Sequence, residues 1–98
     1  MTMKSKLTMT WKPVPPPSAE PDIMEMFKVT PPNRGSVIVR ISSEIVEDNR
    51  LEDAQHVAES QIAAEIRGGG DNHEWLVRYA PEPSARLDSP PRLVCVSI

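Results

Sequence analysis

An α+β fold is predicted for this chain, with an antiparallel or mixed sheet of four to five strands and one principal amphipathic helix on one face. Three observations predict it. Apolar residues recur at steps of three and four between Leu51 and Ile66, the period of a helix with one buried stripe. Strict alternation marks the runs on either side, Ser36–Ser42 and Glu74–Ala80, as half-buried strands. A length of 98 residues leaves room for a single small domain, residues 1–98, whose core is one sheet with one helix on it.

Taken in order, Leu7, Met9 and Trp11 alternate with Thr8, Thr10 and Lys12, which reads as a short strand. Lys12–Ser18 then carries four prolines, read as a stiff polyproline spacer. Residues 1–18 are therefore expected to form a Pro-rich, weakly anchored arm. It either adds an edge strand or pairs with a second chain, so a homodimer is one expectation. The folded core is expected over residues 25–98. Glu25–Thr30 reads as a strand, with a short helix from Pro21 as its rival. Pro31–Gly35 is a turn, with Gly35 able to take positive φ. It leads into a strand with Val37, Val39 and Ile41 on one face and Ile38 and Arg40 on the other, so the two strands make a hairpin. Ile45 and Val46 read as a continuation of that second strand.

In the helix, Asn49 is the expected N-cap, with Glu52 three residues on completing a capping box. Leu51, Ala54, Ala58, Ile62 and Ile66 form the stripe, which Val57 widens. Glu52, Asp53, His56, Glu59, Ser60 and Arg67 occupy the far side. Gly68–Gly70 stops the helix. Beyond it, Trp75, Val77 and Tyr79 alternate with Leu76 and Arg78. Pro81–Pro91 is a proline-rich loop, and Arg92–Ile98, apolar on both faces, reads as a central, doubly covered strand.

Composition narrows the function. The net charge is −3 with a pI near 5.3, unlike the basic face of most nucleic-acid binders. One cysteine, Cys95, rules out an intrachain disulfide and suits a reducing compartment. No run approaches the roughly 20 apolar residues of a membrane span. No secretory leader is legible in Met1–Lys12. A cytoplasmic protein without a membrane partner is expected.

Each chemical motif has a structural alternative. Gly68–Gly70 follows the helix, whereas phosphate loops place glycine before one, so the triplet reads as a cap. Asp71, His73 and Glu74, or Glu52, His56 and Glu59, could be metal ligands, but two histidines and one apolar-flanked cysteine make a poor zinc shell. Cys95 sits in Leu-Val-Cys-Val, the setting of a packed thiol rather than an activated one. Pro13–Pro16 contains a PxxP pattern, common in spacers. No catalytic, metal or cofactor residues are expected, and no enzyme. The densest feature is acidic: Glu44, Glu47, Asp48, Glu52, Asp53 and Glu59. Carboxylates there complement the helix dipole; alternatively they form a surface for a basic partner. The partner-binding set predicted from this series is Glu47, Asp48, Glu52, Asp53, His56 and Glu59.

The succession of Ser36–Ile41, the alanine-rich acidic helix Glu52–Ile66 and Trp75–Tyr79 resembles the small acidic proteins that phages and mobile elements direct against host systems, anti-CRISPR proteins among them. The resemblance lies in layout, over about 45 residues. It implies an inhibitor acting on a protein partner, such as a basic nucleic-acid-binding surface of a host complex, and it implies no site residues. The expected function is thus a non-enzymatic protein-binding module, a small inhibitor or adaptor using an acidic surface. The competing expectation is an accessory factor that binds nucleic acid through Arg34, Arg40, Arg78, Arg86 and Arg92 gathered on a sheet face.

Overall fold

A computed structural model describes residues 7–15, 23–80 and 92–98. The chain is an α+β fold with a five-stranded mixed sheet and one main helix. The elements run β1 (Thr10–Val14), β2 (Ile23–Thr30), β3 (Val37–Ser42), α1 (Ser43–Glu47), α2 (Leu51–Arg67), β4 (Glu74–Tyr79) and β5 (Leu93–Ser97). The strands lie side by side in chain order. All neighbours are antiparallel except β3 and β4, which are parallel. A parallel pair needs a crossover, and α1 and α2 supply it.

Alternation decides which way each strand faces. In β3, Val37, Val39 and Ile41 are buried while Ile38, Arg40 and Ser42 are half-buried. The register carries that pattern across the sheet: Val39 lies between Phe27 and Trp75, and Ile41 beside Val77. Ala54, Ala58 and Ile62 of α2 close on this face, and Ile45 of α1 is fully buried with them. The predicted stripe is therefore the buried one.

Four local expectations are corrected. Ile45 and Val46 belong to α1 instead of extending β3. Asn49 is not an N-cap: its φ is 59°, in the left-handed region, and Arg50 caps α2 with no side-chain bond. Asn49 instead ends α1. Its N–H donates to the Val46 carbonyl at 3.0 Å, and the Arg50 N–H donates to that of Ile45 at 3.0 Å. This is a Schellman closure, with asparagine in the place glycine usually takes. The same pair of bonds ends α2, where Gly69, φ 84°, donates to Ile66 at 3.1 Å and Gly70 donates to Glu65 at 2.9 Å. In the β2–β3 turn it is Asn33, φ 61°, that takes positive φ in place of Gly35. Pro32 before it and the Arg34 N–H donating to the Pro31 carbonyl at 3.3 Å complete a type II pattern. Finally, among the described residues β5 is an edge strand, hydrogen-bonded to β4 alone, and its Leu93–Val96 side chains are half-buried. An edge position leaves both faces partly open, so the apolar run does not mark a sheet centre.

The arm takes the edge-strand alternative. Residues 10–14 pair with β2, with Trp11 opposite Val29 and Pro13 opposite Phe27. Pro13 lies inside this strand, beyond the expected start of the spacer. An edge strand accepts a residue without an N–H because one of its sides makes no ladder bonds. The rest of the spacer from Pro16, the rival helix at Pro21, the loop at Pro81–Pro91 and Arg86 lie outside the described residues.

Candidate functional site

The predicted acidic set does not stay together. Glu44, Glu47 and Asp48 are exposed on α1 and its closing turn, and Glu52 and Asp53 are exposed in the first turn of α2. His56 is half-buried. Glu59 is only 7% exposed, which corrects its assignment to a solvent-facing patch.

Glu59 is turned toward the arm. Its Oε1 accepts from the Thr8 N–H at 2.8 Å and from Thr8 Oγ1 at 3.0 Å. Its Oε2 accepts from the Met9 N–H at 2.9 Å and from Trp11 Nε1 at 2.7 Å. Burial pushes its pKa up, but these four bonds to the charged form outweigh burial and hold it below the ordinary value. The Trp11 ring meets Phe27 edge to face, with centroids 5.3 Å apart. The segment expected to be loosely held is thus tied to helix and sheet over residues 8–14. Glu59 stands three residues before Ile62, at the border of the apolar stripe, and that spacing is the signal from which its burial could have been read.

The remaining acids are partly engaged. The Tyr79 hydroxyl donates to Asp48 Oδ2 at 2.5 Å. Arg50 sits over the Tyr79 ring, 5.6 Å from its centroid, and its Nε lies 3.7 Å from Asp53 Oδ2. Burial and the Asp48 carboxylate raise the Tyr79 pKa, with Arg50 opposing them. The junction of α1 and α2 is therefore a stiff acidic knob with Arg50 in its midst.

The arginines of the competing expectation fall partly on the sheet face opposite the helices. Lys12, Lys28 and Ile38 are neighbours across three strands, with Glu74 next in the row. The adjacent row runs Val14, Met26, Arg40, Leu76 and Val96. Arg78 lies beside Val94. Arg40 Nη2 reaches Glu74 Oε2 at 3.1 Å. Of the predicted arginines, Arg40 and Arg78 share this face. Arg34 is in the β2–β3 turn and Arg92 stands before β5, both exposed. Trp11, Phe27, Trp75 and Tyr79 all stand at alternate positions on the helix side.

The β2–β3 turn, the end of α2 and the segment entering β4 enclose a cleft of about 170 Å³. Sequence reasoning did not indicate it, because its walls come from three separate stretches of chain. The Cys95 thiol is pushed up to about 12 by burial, the opposite of an activated nucleophile. Among the described residues no group of three His, Cys, Asp or Glu side chains is placed to hold a metal ion, and no helix is long and apolar enough to cross a membrane.

No protein-family model matches the chain, and no curated protein or solved structure matches it either.

Proposed function

We propose that this chain is a non-enzymatic protein-binding module, a small inhibitor or adaptor that docks its acidic α1–α2 junction on a basic surface of a protein partner. One observation carries the reading. Glu44, Glu47, Asp48, Glu52 and Asp53 stand exposed around a single tight turn, on helices anchored by the buried Ile45 and Ala54. The helix dipole accounts for Glu44, Glu52 and Asp53 in first turns, but Glu47 and Asp48 close α1 at its negative end, where a carboxylate is disfavoured. A knob of this kind, net acidic despite Arg50, accelerates encounter with a basic site and discriminates among partners. A nucleic-acid-binding surface of a host complex has the matching charge, and the inhibitor form of the proposal takes that as its target.

The test is a pull-down from host lysate with the native chain and with a Glu44→Lys/Glu47→Lys variant as baits, followed by association kinetics on the captured protein. The variant is expected to lose the partner, or to bind it more slowly and with a shallower salt dependence. Equal capture, rate and salt slope would discard the acidic knob as the docking surface.

The second reading, nucleic-acid binding, is favoured by Lys12, Lys28, Arg40 and Arg78 on one sheet face. It is weakened by the aromatic rings lying on the other face, since single strands are held by base stacking as well as by charge. Retention on single-stranded DNA at moderate salt, lost in Lys12→Glu/Lys28→Glu, would prefer it over the first.

A further inference from the structure

β5 uses only alternate residues to hold its place in the sheet. The Ile98 N–H donates to the Glu74 carbonyl at 2.9 Å, and the Ala80 N–H donates to that of Arg92 at 2.8 Å. Antiparallel ladders alternate, so Arg92, Val94, Val96 and Ile98 direct their N–H and C=O groups to β4, while Leu93, Cys95 and Ser97 direct theirs away from the sheet. Among the described residues no strand meets those three. The opposite edge is blunted. β1 carries Lys12 and Pro13, both exposed, and a charge or a proline on an edge discourages further pairing. Leu93–Ile98 holds neither.

We propose that β5 pairs antiparallel with β5 of a second copy of this chain, about a two-fold axis through Cys95, so that one sheet runs across both copies. A strand edge is completed by another strand, and three features fit a copy of this one. The first is register. Pairing that overlaps all of Leu93–Ser97 sets Cys95 against the partner's Cys95 and Leu93 against the partner's Ser97, so outward backbone groups meet outward groups at every bonded position. The second is charge: no residue of Leu93–Ser97 is acidic or basic, so the axis opposes no like charges. The third is apolar cover. Val94 meets the partner's Val96 in a non-hydrogen-bonded pair, where side chains stand closest. Ile98, 63% exposed, is the large apolar side chain left in solvent among the described residues, and it lies diagonal to the partner's Val94.

The edge is held ready for a partner. Leu93 and Cys95 are packed against the core, and α2 lies over β5. The acidic knob plays no part in this seam, since α1 packs on β2, β3 and β4.

Sedimentation equilibrium of the full chain should follow a monomer–dimer equilibrium with a dissociation constant of about 100 µM, since a five-residue edge lies at the small end of interface sizes. Raising the chain to about 1 mM should slow amide exchange at Leu93, Cys95 and Ser97 about fivefold, the ratio of total chain to monomer at that constant. Val94 and Val96, bonded to β4, should be protected throughout. Ser97→Pro removes an outward N–H without touching a bond to β4 and should weaken the dimer about tenfold. Val94→Lys/Val96→Lys sets lysine against lysine at both symmetric pairs and should leave a monomer, whereas Val94→Glu/Val96→Lys sets opposite charges there and should keep the dimer. A chain still monomeric at about 1 mM overturns the proposal and leaves the edge to an extended segment of a different protein. A dimer that survives in folded Ser97→Pro and Val94→Lys/Val96→Lys variants overturns it too, as does equal loss in the two charge variants. Glu44→Lys/Glu47→Lys should dimerise as the native chain does, which separates failure of this seam from failure of the knob.

Discussion

Trp11 Nε1 donates to Glu59 Oε2 at 2.7 Å across 48 residues of chain, so one carboxylate on the helix holds the first strand to the rest of the fold. Thr8 and Met9 add three more donors to the same group. Replacing Glu59 with Ala leaves these donors short of an acceptor and should cost about 2–4 kcal/mol. Glu59→Lys should cost at least as much, although an exposed acid on a helix would tolerate that reversal. Urea denaturation checks both; a midpoint within error of the native chain would show that the arm contributes nothing.

The same group sets an acid limit. Its folded pKa is depressed, so its stabilisation is complete above the ordinary carboxylate range and disappears as pH falls through the lowered folded value. Amide exchange at Thr8 and Met9, and Trp11 fluorescence, should report release of the arm in that window. Glu59→Gln should remove this pH dependence.

Asn49 offers a sharp local test. In the left-handed region Asn49→Gly should be neutral or mildly stabilising, whereas Asn49→Ser should cost about 1 kcal/mol. A helix N-cap would behave differently, with serine nearly silent there. A stability of Asn49→Ser equal to the native chain would contradict the Schellman closure of α1.

Ile62 is 2% exposed beneath the centre of α2. Ile62→Ala should lower stability by about 2–5 kcal/mol at unchanged denaturant slope. An unchanged midpoint would mean that α2 does not pack as described.

Tyr79 is the single tyrosine, so its titration can be followed by absorbance without overlap. Burial raises its pKa first, and Asp48 adds to the rise. Asp48→Asn should lower the value while leaving it raised by burial. Arg50→Gln should raise it further. A titration unmoved by both changes would dissociate Tyr79 from the acidic knob.

Much of this fold was legible because its signals are local. The three-and-four spacing of Ala54, Ala58 and Ile62 specifies the buried face of α2, and the alternation in Val37–Ser42 and Glu74–Tyr79 specifies two strands, because each side chain's direction follows from the backbone period alone. Asn49 was ambiguous for an equally local reason: asparagine serves both as an N-cap and as a left-handed C-terminal residue, and only the short α1 before it decides between them. The apolar run at Leu93–Val96 could not reveal its place in the sheet, since a doubly covered strand and an edge strand read alike when each face is partly apolar.

By itself the sequence determined the class of fold, the hairpin, the principal helix with its stripe and the acidic character of the α1–α2 junction, all properties of neighbouring residues. Only the tertiary structure decided the fate of Glu59, the cleft beside the β2–β3 turn and the sorting of Arg40 and Arg78 onto one open face. Those depend on which distant segments meet. A carboxylate on the border of an apolar stripe faces water or an N–H according to what packs beside it, and for Glu59 that neighbour lies 48 to 51 residues earlier in the chain.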